Sequence, residues 1–141
     1  GHDLDNTDAI DEVGLGFAVR LQRPDGTPRP FLGREALLAQ RAKGPPHRRL
    51  VQVLLGDPEP LLFHAEVLWR DGERVGVVRS ASYGFTLGGA VGLAMIEPRG
   101  VAVDEEYLSQ GRWEVEVAGR RVPATVSLRP LYDPDSRRVK G

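Results

Sequence analysis

"AEVLWRDGERVGVV", residues 65–78, is the stretch whose reading decides the fold. A tight hairpin needs positive φ at both central turn positions, and an Asp-Gly pair such as Asp71-Gly72 supplies it. The flanks then run as two antiparallel strands. In that register Arg70 faces Glu73 and Leu68 faces Val75, so charge meets charge and apolar meets apolar.

Working outward, "RRLVQVLLG" (48–56) reads as a strand ahead of the hairpin. Behind it comes "SASYGFTLGGAVGLAMI" (80–96). Its first half has the small residues and glycine of a loop that closely approaches something. Its second half, continuing as "AVGLAMIE" (90–97), is apolar enough for a buried strand. "RWEVEVAGRRVPATVSLRP" (112–130) is a second hairpin turning at Gly119. Trp113, Val115 and Val117 share one face, which Val122, Ala124, Val126 and Leu128 continue. Pro123 falls on the outward side and is expected to mark an edge or a bulge.

The N-terminal third is different. Residues 1–13 hold five carboxylates and no lysine or arginine, in an Asx-rich run that favours turns. "GLGFAVRL" (14–21) alternates as a half-buried strand should. "RPDGTPRP" (23–30) is a loop. "LGREALLAQRAKG" reads as a short helix, ended by Gly44 and Pro45-Pro46, with everything after Pro46 expected to be β-structure. The fold class is therefore mainly β: a small antiparallel, jelly-roll-like barrel with one short N-terminal helix, a sandwich being the other arrangement such strands allow.

Composition narrows the function classes. The chain has 141 residues, 19 basic against 20 acidic, for a net charge of −1. That balance gives no reason to bind nucleic acid or an anionic membrane. No apolar run approaches the length of a membrane span. With no cysteine, a disulfide framework and thiolate metal sites are excluded, and a reducing, cytoplasmic location is expected. The chain begins Gly1-His2-Asp3 and its single methionine is Met95, so it is expected to be a piece of a longer polypeptide, a two-residue cloning scar being the other reading.

Candidate chemistry is sparse. "DLDNTD" (3–8) fails as a calcium loop, because Asp8 and Gly14 stand where such a loop wants Gly and Glu; an acidic turn is the reading. "GLGFAV" lacks the third glycine and the following helix of a dinucleotide fingerprint. His2, His47 and His64 share no ligand spacing, so no metal site is expected. Ser80, Ser82 and Ser109 lack a nucleophile-elbow context. Carboxylates fall on outward strand positions or in turns, as solvated surface. Arg41, Lys43, Arg48 and Arg49 form a basic cluster that could meet an anionic tail or an acidic surface, but a solvated helix end is its default role. The tail "RPLYDPDSRRVKG" holds Tyr132 between two prolines and is expected to pack back on the body. No self-contained active site and no catalytic residue are present on this reading.

The order of the segments resembles a known family. "GHDLDNTD…GLGFAV", "FLGREALL", "RRLVQVLL", "VGVVRSASYGFTLGGAVGLAMI" and "RPLYDPDSRR" resemble the C-terminal end of the glycine-cleavage T-protein (aminomethyltransferase) superfamily. Arg79 stands where that family usually has threonine, and Ala81 where glycine is common. "SYGFTLGGAVGL" and "PLYDP…RR" look closest to the folate domain of dimethylglycine and sarcosine dehydrogenases.

The resemblance implies that residues 1–43 end the central folate-binding region and that residues 47–141 form the family's C-terminal β-barrel domain. It implies tetrahydrofolate in the full-length protein, receiving a one-carbon unit in a central channel, with no cofactor held by this chain alone. An upstream flavin (FAD) domain is left open. The family's catalytic acid matches positions ahead of Gly1, so none is carried over, and an inactive isolated chain is expected. Tyr132 is the one cofactor-binding position implied, at the channel mouth. "SASYGFTL" would be the loop set against the folate region. The partners implied are that upstream region and, through apolar surface around residues 80–88, a second copy of the chain; nucleic acid and membrane are not among them. The function implied is a barrel domain that helps enclose a folate channel; a stand-alone β-barrel interaction module is the alternative.

Overall fold

The computed structural model describes residues 3–140. The Asp71-Gly72 turn forms as read, with φ of 52° and 86°. It joins β2 (Val67–Arg70) to β3 (Glu73–Gly84), and Arg70 lies opposite Glu73. Leu68, however, lies opposite Gly76 and not Val75, because the register shifts between Leu68 and Trp69. The extra residue lets Val75 and Val78, three positions apart, both reach the core, which strict alternation would forbid.

β1 (Arg49–Leu55), β4 (Gly89–Ile96), β5 (Trp113–Val117) and β6 (Arg120–Ser127) complete the sheet. The order β1-β4-β3-β2-β5-β6 closes on itself through antiparallel β1–β6 pairing. Inward positions alternate along each strand: Val51, Val53 and Leu55 on β1, Ala90, Ala94 and Ile96 on β4, Val115 on β5 and Val122 on β6. Leu62, Val103, Leu108 and Trp113 join the same core.

Pro123 marks no bulge, and it sits just past the last β1–β6 pair, Leu55 with Ala124, at the edge of that ladder. It pairs in register with Glu114, and its carbonyl accepts from the Gly56 N–H at 2.8 Å. In a strand, the N and the carbonyl of one residue point to the same side. The missing proline donor therefore faces the spot where β1 has just ended, and no bond to β5 is lost.

Three other readings change. Residues 14–21 form no strand; Gly16–Ala18 is a short 3₁₀ turn and Phe17 is 85% exposed. A closed barrel offers no free edge to receive that segment, so its alternation has no ladder to join. Residues 80–84 are not a loop but the end of β3, and only residues 85–88 turn. Their small side chains fit against β4, where a Cβ on Gly92 would stand 2.8 Å from the Ser80 carbonyl oxygen and 3.0 Å from the Ala81 Cβ.

The region after Pro46 also contains helix, α2 (Glu105–Ser109). The carboxylate of its N-cap, Asp104, accepts from the Tyr107 N–H at 2.8 Å. That cap, followed by Glu105 and Glu106, was a visible start signal. The expected helix forms as α1 (Arg34–Arg41), and a short α3 (Arg137–Lys140) lies in the tail.

Candidate functional site

The outer face of β1, β4 and β3 carries an open groove of about 420 Å³. Antiparallel pairing aligns its floor: Gln52 lies opposite Leu93, Leu93 opposite Ser80, and Val91 opposite Ser82. The surface is apolar in the middle and hydroxylated along one side. A second cleft shares Ser80 and Ala81 and adds Phe63, His64, Asp3 and Arg79. Phe63 is 65% exposed and Phe85, at the β3–β4 turn, 90% exposed with its ring edge-on to Tyr83. Within residues 80–88 the exposed large apolar side chain is Phe85, on the tight turn that ends β3.

Charge organises the flank of this groove. A register shift between Val78 and Ser80 makes Arg79 the extra residue of β3. Arg79 reaches the N-terminal arm, donating to both carboxylate oxygens of Asp8 at 2.5 and 3.0 Å and to the Asp3 carbonyl at 3.0 Å. Ser80 also bonds the Asp3 carboxylate. Arg48 bridges Asp8 at 2.8 Å and Glu12 at 3.2 Å, and Arg41 holds Asp11 through two hydrogen bonds at 2.6 and 2.8 Å. The Leu50 N–H donates to the Glu12 carbonyl.

The arm is therefore fastened to the barrel by guanidinium–carboxylate pairs, the strongest of side-chain hydrogen bonds. The Asp8 side chain is only 2% exposed. Its hydrogen bonds from Arg79, with a backbone bond from Asp5 and the charge of Arg48, hold its carboxyl far below the usual carboxylate range despite burial. The Arg41 hydrogen bonds lower Asp11 in the same way.

This corrects the sequence reading twice. Arg41 and Arg48 are not a solvated helix end; they meet an acidic surface supplied by the same chain. Asp8 is not a solvated turn carboxylate. The signal was available, since five acids without a basic neighbour in residues 1–13 complement the cluster at residues 41–49. What sequence could not supply was the bulge that aims Arg79.

The C-terminal tail does return to the body. The Leu131 N–H donates to Gln52 Oε1 at 2.9 Å, at the end of the groove floor. Asp133 caps the last turn by accepting from the Arg137 and Arg138 N–H groups at 2.8 and 3.1 Å. Tyr132 lies between these anchors, 43% exposed, with the Arg138 guanidinium 5.6 Å from its ring centre.

Among the described residues no three His, Asp or Glu side chains converge as a metal site, and no helix is long and apolar enough to cross a membrane. Asp8, the carboxylate with the largest perturbation, is committed to two arginines and is not free to move a proton. The arrangement can pack against another surface and fix a chain end.

Residues 48–133 match the family described as the glycine cleavage T-protein C-terminal barrel domain. Over 141 residues the chain is 43% identical to 4-methylaminobutanoate oxidase (formaldehyde-forming) of Paenarthrobacter nicotinovorans, covering 100% of this chain and 16% of that protein. It is 39% identical over 140 residues to the mitochondrial sarcosine dehydrogenase of Homo sapiens, covering 99% of this chain and 15% of that protein. Against the aminomethyltransferase of Geobacillus kaustophilus it is 33% identical over 132 residues, 94% of this chain and 33% of that one. The crystal structure of glycine cleavage system aminomethyltransferase T from Bartonella henselae superposes with a TM-score of 0.67 at 22% identity, over 90% of this chain and 33% of that chain, a likeness of fold. The chain thus spans between about a sixth and a third of the length of these relatives.

Proposed function

This chain belongs to the glycine cleavage T-protein C-terminal barrel family, and from that premise we propose that it is the barrel domain of a tetrahydrofolate-dependent one-carbon-transfer enzyme. It helps enclose the folate channel and is not catalytic alone. Residues 1–43 end the folate-binding region and residues 47–141 are the barrel domain. The higher identity to the oxidase and the dehydrogenase than to the aminomethyltransferase supports a parent enzyme of the N-methyl-amine-oxidising kind, with any FAD held outside this chain.

The observation that carries the reading is the groove over β1, β4 and β3, with Phe63 beside it and the tail pinned across its end at Gln52. A face of Val91, Leu93 and small residues suits packing against another protein layer. In this reading the folate-binding region covers that face, and Tyr132 stands at the channel mouth. A chain lacking that region would self-associate through the same face.

Taken by themselves the residues present do not fit tetrahydrofolate. Gln52 Oε1 is already taken by Leu131 N–H, and the nearly buried carboxylate of Asp8 is committed to Arg79 and Arg48. A pterin needs several fixed polar partners, and this chain supplies wall and not cradle.

Replacing the matching region of the Geobacillus kaustophilus aminomethyltransferase by this chain gives the test. The chimera is expected to bind tetrahydrofolate, and Ser82→Arg and Leu93→Arg to weaken that binding at least about tenfold, or about 1.4 kcal/mol. Ser82 is exposed, so that variant leaves folding unaffected. Tyr132→Ala is expected to raise the folate Kd. Micromolar folate binding by this chain alone, or unchanged affinity in all three variants, refutes the reading.

A further inference from the structure

We propose that the cleft beside the β2–β3 turn is a second ligand site, distinct from the groove, that takes a multiply charged oxyanion. The cleft has a volume of about 400 Å³ and is walled by Arg70, Arg74, Arg99, Glu73, Tyr107 and a few apolar side chains. Three arginines and one glutamate line the cleft, with Asp71 3.5 Å from Arg70 beside it, in a protein whose net charge is −1.

The arginines fall into two kinds. Arg70 is fixed: its guanidinium lies 4.2 Å from the Tyr107 ring centre and 5.8 Å from that of Trp113. Its Nε donates to the Gln110 carbonyl at 3.3 Å, and Asp71 stands 3.5 Å away. Gly111, at φ 82°, closes on this seat, since a Cβ there would lie 2.8 Å from Arg70 Nε. Arg74 and Arg99 are the opposite. Among the described residues their side chains make no hydrogen bond, ion pair or ring contact.

That contrast separates this cleft from the other charged one. The cleft of about 360 Å³ at Arg41 and Arg48 has a similar size, yet both arginines there are spent on Asp11, Glu12 and Asp8. A guanidinium presents paired N–H donors that match two oxygens of a phosphate or carboxylate. One held and two free guanidiniums around a partly apolar wall of Val75, Pro98 and Val101 suit a ligand with two or more oxyanion groups. The Glu73 carboxylate opposes an anionic ligand, but its single charge is outweighed by those of the arginines. Phosphoester and polycarboxylate ligands share this chemistry.

Isothermal titration of the 141-residue chain with inorganic pyrophosphate and with citrate, at low ionic strength where exposed charges act at full range, tests the proposal. Saturable binding of at least one is expected, pyrophosphate alone marking a phosphoester site and citrate alone a polycarboxylate site. The Arg74→Ala/Arg99→Ala double variant should weaken it by about tenfold or more, as loss of charge-assisted bonds requires. A control, Arg20→Ala/Arg29→Ala, removes the same charge from exposed positions elsewhere and should change affinity by less than about twofold. Both double variants alter exposed side chains, so thermal melts should match the parent chain. No saturable binding of either anion, or equal weakening in both double variants, overturns the proposal. Because this cleft shares no lining residue with the groove, that failure would leave the reading of the groove untouched.

Discussion

Exchanging Arg79 for threonine, the residue more usual at this position in the family the chain resembles, should loosen the N-terminal arm from the barrel. The Asp8 carboxylate is 2% exposed and Arg79 is 14% exposed, with two hydrogen bonds between them at 2.5 and 3.0 Å. Charge centres roughly 4 Å apart attract by about 4 kcal/mol at an effective dielectric constant of about 20. Lost hydration and side-chain ordering return about half, leaving a coupling of about 2 kcal/mol. Arg79→Thr leaves Asp8 paired only with Arg48, and Asp8→Asn leaves two arginines facing a neutral amide. Each single variant should therefore cost about 2–3 kcal/mol, and the double variant about 2 kcal/mol less than their sum.

Urea denaturation at neutral pH, with the double-mutant cycle closed, measures the coupling directly. Acid adds a second readout. Because the folded carboxyl of Asp8 lies below its ordinary value of 3.8, the stabilisation is fully present above that pH and lost as the pH falls beneath it. The parent chain should thus lose more stability than Asp8→Asn between pH 5 and about pH 2. Additivity within about 0.5 kcal/mol, together with parallel acid profiles, would refute the reasoning.

Two further outcomes follow from backbone geometry. Gly76→Ala would place a Cβ 2.1 Å from the Met95 carbonyl oxygen and 2.9 Å from the Ile96 Cα, backbone atoms that cannot swing aside. A loss of about 2–3 kcal/mol is expected, seen by calorimetry as a fall in Tm of roughly 10 °C. Asp104→Ala removes the cap on the Tyr107 N–H and should cost about 1 kcal/mol in urea unfolding, whereas Asp104→Asn should cost at most a few tenths.

The barrel was legible where a residue type has only one use. Asp71-Gly72 announced its turn because few pairs tolerate positive φ twice, and α1 announced its end through Gly44 and two prolines. Residues 80–84 misled because serine, alanine and glycine have low intrinsic preference for strands; their place in β3 is decided by contact across to Gly92, which lies eight to twelve positions further on. Residues 14–21 misled in the opposite sense, having the alternation of a strand and no partner. The Arg79 clasp depends on a one-residue shift between Val78 and Ser80, and no local pattern foretells which residue a bulge expels. The groove itself was half visible, since its residues were singled out while its position on the outer wall required the register.

The pairing of β1 with β6 joins residues about seventy positions apart, with Val53 opposite Val126 and Leu54 opposite Thr125. Two other pairings are long: β2 with β5 joins Leu68 to Val115, and β1 with β4 joins Arg49 to Ile96. Contacts this remote in sequence make assembly slow, because the chain surrenders its freedom before the contacts repay it. On the ribosome the cylinder stays an open sheet with two raw margins until Ser127 has emerged. Synthesis of this protein therefore passes through a window in which β1 has no neighbour on one side, and that margin is where a nascent copy is most exposed to pairing with the wrong strand.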